Sequence, residues 1–152
     1  MKEHVLVPLA GTPDLEAVLP QLRALVRRGV SGITLLRTEL PASVEGFDLL
    51  RDASLAHARE FLGRVKRRLR TLKVPVHLVS TVGAPADTIL DVARDRKATL
   101  ILLSSARRHS LARFLFGSVA EQVVRRSPVP VVVIPSDPAA VHNLRDRSAA
   151  TS

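Results

Sequence analysis

Five short apolar, β-type runs alternate with longer stretches whose apolar residues recur at helical spacing, and this alternation constrains the chain more than any other feature. Repetition of strand and helix reads as βαβ units laid around a parallel sheet. The runs are His4 to Leu9, Ile33 to Leu36, Val74 to Val82, Ala98 to Leu103 and Val129 to Ile134. Leu100-Ile-Leu-Leu103 is apolar without a break, as suits a central parallel strand covered on both faces. Pro128 and Pro130 flank the start of the fifth run, which suits an edge strand or the first position of a strand.

The intervening stretches carry buried stripes. Leu15, Val18, Leu19, Leu22 and Val26 share one face of a first helix, with Thr12 expected as its N-cap, Pro13 at its first position and Gly29 closing it. Pro20 is expected to kink or interrupt that helix. After a connection from Leu40 to Gly46, a second helix shows Leu55, Ala58, Leu62, Val65, Leu69 and Leu72 at spacings of three and four. Its second half is rich in Arg and Lys, cations that suit a helix C-terminus and a solvated face. Gly83-Ala84-Pro85-Ala86 turns the chain into a third helix bearing Ile89, Val92 and Ala93. Gly117 to Arg126 reads as a fourth.

A length of 152 residues suits one domain, expected over residues 1–136, with a polar, mobile tail over 137–152. The absence of cysteine excludes disulfides and thiolate metal sites and fits a reducing compartment. No secretory leader is legible after Met1, and no apolar run approaches the roughly 20 residues that span a bilayer, so a cytoplasmic protein without a membrane partner is expected. The net charge is +9, but four of the 23 basic residues are Lys and the 19 Arg are dispersed through every helix. With no Trp or Tyr to stack on bases, nucleic acid is not the expected partner. The five histidines are scattered, and neither a metal-ligand set nor a nucleophile–base pair can be placed on one face, so neither a metal nor an enzyme is expected.

The stretch from Ser104 to Glu121 leaves the fourth strand, crosses a basic loop and enters a helix at Gly117-Ser118. A strand feeding a helix N-terminus through such a loop is how α/β folds make anion sites, because free N–H groups and the helix dipole face the ligand. Together with Val5-Leu-Val-Pro8, Gly83-x-Pro85-Ala86-x-x-Ile89, Phe116-Gly-Ser-Val-Ala-Glu121 and Val129-Pro-Val-Val-Val-Ile134, it resembles the universal stress protein family over about residues 3–135. The resemblance implies a Rossmann-like three-layer α/β/α sandwich with a five-stranded parallel sheet in the order 3-2-1-4-5. It also implies a homodimer that pairs the fifth strand across a two-fold axis through Val131, Val132, Val133 and Ile134.

The same resemblance places a candidate nucleotide or anion site at Pro8, Leu9, Ala10 and Leu35, with Ser104, Ser105, Arg107 and Arg108 after the fourth strand and Gly117 and Ser118 at the fourth helix. Nucleotide-binding relatives use an Asp at the end of strand one and glycines in the loop after strand four. This chain has Ala10, Ser104 and Arg107 at those positions. A β-carbon where φ is positive costs roughly 1 kcal/mol and blocks close approach of backbone to phosphate. A stress-response binding or regulatory module without family-type ATP binding is therefore expected, needing no cofactor and acting through a protein partner. The alternative is a sensor whose Arg107, Arg108, His109 and Arg113 bind ATP, AMP or another anion through side-chain forks.

Overall fold

In a computed structural model, residues 2–39, 47–105 and 118–135 are described. They form β1 (Glu3–Pro8), α1 (Thr12–Arg27), β2 (Val30–Glu39), α2 (Phe47–Arg68), β3 (Val76–Val82), α3 (Pro85–Asp95), β4 (Leu100–Ser105), α4 (Ser118–Arg126) and β5 (Val131–Pro135), with a 3-10 turn over Leu69–Leu72. The strands join one five-stranded parallel sheet in the order β3-β2-β1-β4-β5. The expected fold class and strand order are thus observed. The tail and the segment 40–46 lie outside the described residues.

Strand alternation divides the apolar residues between the two faces of the sheet. Val5, Val7, Ile33, Leu35 and Leu102 pack beneath α1 and α2 with Leu15, Leu22, Phe61 and Leu62. Leu6, Leu36, Ile101 and Leu103 pack beneath α3 and α4 with Ile89, Leu90, Ala120 and Val123. The middle of β1, Val5-Leu6-Val7, is fully buried, as a strand covered on both faces requires.

Two local expectations are corrected. The N-cap of α1 is Gly11, not Thr12, so Pro13 falls in the second helical position. Asp14, the third helical residue, satisfies the free amides here: its Oδ2 accepts from the Ala10 and Gly11 N–H groups at 2.7 and 3.2 Å. Pro20 does not interrupt α1, which runs unbroken to Arg27. The proline is exposed, and the carbonyl it leaves without a helical donor belongs to exposed Glu16, where water can supply the bond. Two strands of the site also run further toward their carboxyl ends than the apolar runs. β2 continues to Glu39 and β4 to Ser105, because backbone pairing with β3 and β5 holds polar residues in the ladder.

Candidate functional site

The sheet order reverses between β1 and β4, and in open α/β sheets ligands bind at that switch, beyond the carboxyl ends of the strands. A crevice of about 710 Å³ lies there. Pro8, Leu9 and Ala10 form one wall, Ser104 and Ser105 another, and Ser118 with Val119 and Ala120 of α4 a third. Sequence reasoning thus named residues that the fold brings around one cavity. Leu35 is the exception. It is fully buried beneath α1 and α2, whereas its neighbour Leu36 lines the crevice. Moving one residue along a strand exchanges faces, so a one-residue error in register removes a side chain from the site. Arg107, Arg108 and Gly117, with His109 and Arg113, lie outside the described residues.

Charge in the described part of the crevice comes from residues the sequence reading did not select: Asp14, Arg37 and Glu39. Arg37 donates through Nε to Glu39 Oε1 at 2.9 Å, and its guanidinium lies 4.8 Å from the centre of the Phe61 ring. That arginine is therefore held by a carboxylate and an aromatic face. Asp14 is held more fully. Beyond its two backbone amides, Oδ1 accepts from the Ser104 hydroxyl at 2.5 Å. A carboxylate thus sits on the donors of the β1–α1 turn and ties that turn to the end of β4. The signal for it was in the sequence, since an acidic residue three positions after a helix cap reaches back to the cap amide.

At the opposite, amino end of the sheet, the fold brings together two histidines that the sequence left apart. His4 of β1 and His77 of β3 have ring centroids 6.1 Å apart. The His4 ring leans across β2 over Gly32, and its Nε2 is hydrogen-bonded to buried Thr34 Oγ1 at 2.6 Å. A β-carbon on residue 32 would stand 2.7 Å from His4 Nδ1, so the glycine makes room for the ring. Burial, then the charges of His77 and Arg96, hold His4 below its ordinary 6.5. No group of three or more His, Cys, Asp or Glu side chains suited to a metal occurs among the described residues. No helix among them is long and apolar enough to cross a membrane.

Sheet order, helices on both faces and a crevice at the switch point define an open, doubly wound α/β fold. The sequence pattern of the Universal stress protein family matches residues 1–135, and the chain belongs to that family. Universal stress protein MJ0531 of Methanocaldococcus jannaschii is 34% identical over 96 residues, covering 62% of this chain and 55% of that protein. The chain thus spans about half the length of that relative. MJ0577 of the same organism is 28% identical over 113 residues, covering 74% of this chain and 70% of that protein. The solved structure of MJ0577 superposes with a TM-score of 0.77 at 26% identity, over 89% of this chain and 96% of that one. A universal stress protein of Archaeoglobus fulgidus, solved in complex with dAMP, shares the fold at a TM-score of 0.66 and 24% identity, over 87% of this chain and 97% of that one.

Proposed function

We propose that this chain is a cytoplasmic binding and regulatory module, not a catalyst, that does not hold ATP in the manner of nucleotide-binding relatives and works through contacts with a protein partner. The observation that carries this function is the placement of Asp14. An anionic ligand at the β1–α1 turn gains from free N–H donors. Here the two donors at 2.7 and 3.2 Å already serve a carboxylate of the chain itself. A phosphate approaching them would lose those hydrogen bonds and meet a like charge in a partly enclosed space. Ala10 supplies no side-chain acceptor for the nucleoside, and Ser104 is turned toward Asp14. The test is a gain of function. Calorimetric titration with ATP and AMP should give no heat of binding for the natural chain and measurable binding for a variant combining Asp14→Ala with Ala10→Asp, Ser104→Gly and Arg107→Gly. Tight binding by the natural chain would refute it.

The homodimer belongs to the same proposal. β5 is an edge strand whose Val131, Val132, Val133 and Ile134 are all only partly buried, and an open apolar edge favours pairing with a second copy. A second function, a mononucleotide sensor using Arg107 and Arg108, is favoured by the size of the crevice and by the dAMP held by the Archaeoglobus relative. Loss of AMP binding on Arg107→Ala would select it.

A further inference from the structure

In a parallel sheet covered by helices, each helix returns the chain to the amino end of the next strand. The arginines that look dispersed in the sequence converge there. Arg27 and Arg28 end α1, Arg70 and Lys73 end the segment after α2, Arg96 and Lys97 follow α3, and all are exposed. Exposed Lys2 precedes β1 at the same end. The links are bound to one another sideways: the Ile33 amide donates to the Pro75 carbonyl, the Thr99 amide to the His4 carbonyl, and the Ser31 hydroxyl to the Glu3 carbonyl. The cations therefore share one face. Among the described carboxylates, Glu3 and Asp95 belong to the same end of the sheet. The ion pairs of the described residues engage other arginines, namely Arg37, Arg64, Arg68, Arg94, Arg125 and Arg126.

Helix dipoles favour a cation at a C-terminus, yet the backbone here argues for more than dipole compensation. Lys73 and Lys97 hold left-handed conformations, φ 56° and 53°, at stops where glycine is the unstrained choice; after α1 that choice is made, with Gly29 at φ 116°. Charged side chains thus stand at two positions that disfavour them. The face spans four neighbouring strands, about 15 Å at the usual spacing. Leu78 and Val124, the exposed large apolar residues among those described, are not in its links, and Phe61 is buried. Among the described residues, the links of this face carry no exposed large apolar side chain to wedge into a membrane and, beside the exposed His77 ring, no Phe on which unpaired bases could stack. Concentrated charge without either fits a dense, regular array of phosphates.

We propose that the amino-end face docks on the phosphate backbone of double-stranded nucleic acid, without reading its sequence. The test is fluorescence anisotropy of a labelled duplex of about 20 base pairs, titrated with protein from about 0.05 to 0.2 M salt. Association should be independent of sequence and should weaken steeply with salt. The variant Arg28→Gln/Lys73→Asn/Lys97→Asn keeps the fold, because asparagine tolerates the left-handed stops. It should bind at least about tenfold more weakly at about 0.1 M salt, with a log–log salt slope shallower by about 2 to 3. Arg23→Gln/Arg59→Gln/Arg64→Gln, with the same net charge but changes on helix flanks, should stay within about twofold of the natural chain. Should the first variant melt early, Lys2→Gln/Arg28→Gln/Arg96→Gln makes the same comparison. Equal weakening by face and flank variants would reduce the effect to net charge and overturn the proposal. So would no association at about 0.1 M salt, or docking on phosphatidylserine vesicles with none on the duplex.

Discussion

The Ser104 hydroxyl donates to Asp14 Oδ1 at 2.5 Å, across 90 residues of sequence, and so joins the end of β4 to the first turn of α1. The other oxygen of the same carboxylate takes the Ala10 and Gly11 amides. One side chain therefore caps a helix, closes the β1–α1 turn and occupies two amides beside the crevice.

Replacing Asp14 should cost stability and open the site together. Asp14→Ala removes a helix-terminus carboxylate and leaves two amides to water, an effect of about 1–2 kcal/mol. Urea denaturation should show that loss with an unchanged m-value. Ser104→Ala, which leaves both amide bonds intact, should cost less than Asp14→Ala.

His4 and Gly32 should be energetically coupled. A methyl at residue 32 stands 2.7 Å from His4 Nδ1, and the ring cannot yield without losing its bond to Thr34. Gly32→Ala should destabilise by about 1–3 kcal/mol through overpacking, and by clearly less in a His4→Ala background. A double-mutant cycle measures the difference; additive costs would show that the ring does not rest on the glycine.

The same histidine gives stability a dependence on pH. Its folded value is lowered from 6.5, chiefly by burial, so the unfolded chain binds the proton more readily. The contribution of neutral His4 is complete above pH 6.5 and is lost as pH falls through the lowered folded value. The melting temperature should therefore drop on acidification more in the natural chain than in His4→Gln, which can still bond Thr34. Parallel profiles would assign the drop to other groups.

Blocking the free edge of β5 should yield monomers. The Ile101 amide donates to the Pro130 carbonyl, so by alternation the backbone groups of Val133 face away from β4. Val133→Pro removes a donor from the open edge and leaves pairing with β4 in place. Light scattering should report a dimer for the natural chain and a monomer for the variant, at similar thermal stability. A natural chain that is monomeric at high concentration would contradict the proposed pairing.

Much of the fold was legible because its cause is periodic. Alternation and helical stripes depend on neighbours a few residues away, and they located all five strands, with ends that shifted where Glu39 and Ser105 extend the ladders by backbone pairing alone. The walls of the crevice were legible where short motifs carry them, as at Pro8 to Ala10 and Ser104 to Ser105. Leu35 was misplaced because a single step along a strand changes its face. The bond from Ser104 to Asp14, the His4–His77 contact and the gathered cations were not legible. Each depends on which residues meet across the sheet, and strand order, unlike periodicity, is not written in any local window.

The most direct measurement is the melting temperature of the natural chain in ATP, ADP and AMP, with and without magnesium, followed with an external dye because the chain has no Trp or Tyr. A ligand at about 100 times its dissociation constant would add about 2.7 kcal/mol, or roughly 5–10 °C for a chain of this size. With Asp14 seated on the Ala10 and Gly11 amides beside the crevice, millimolar nucleotide should leave the melting temperature within about 1 °C of the control. A saturable rise of several degrees would contradict the central claim and return the crevice to nucleotide binding.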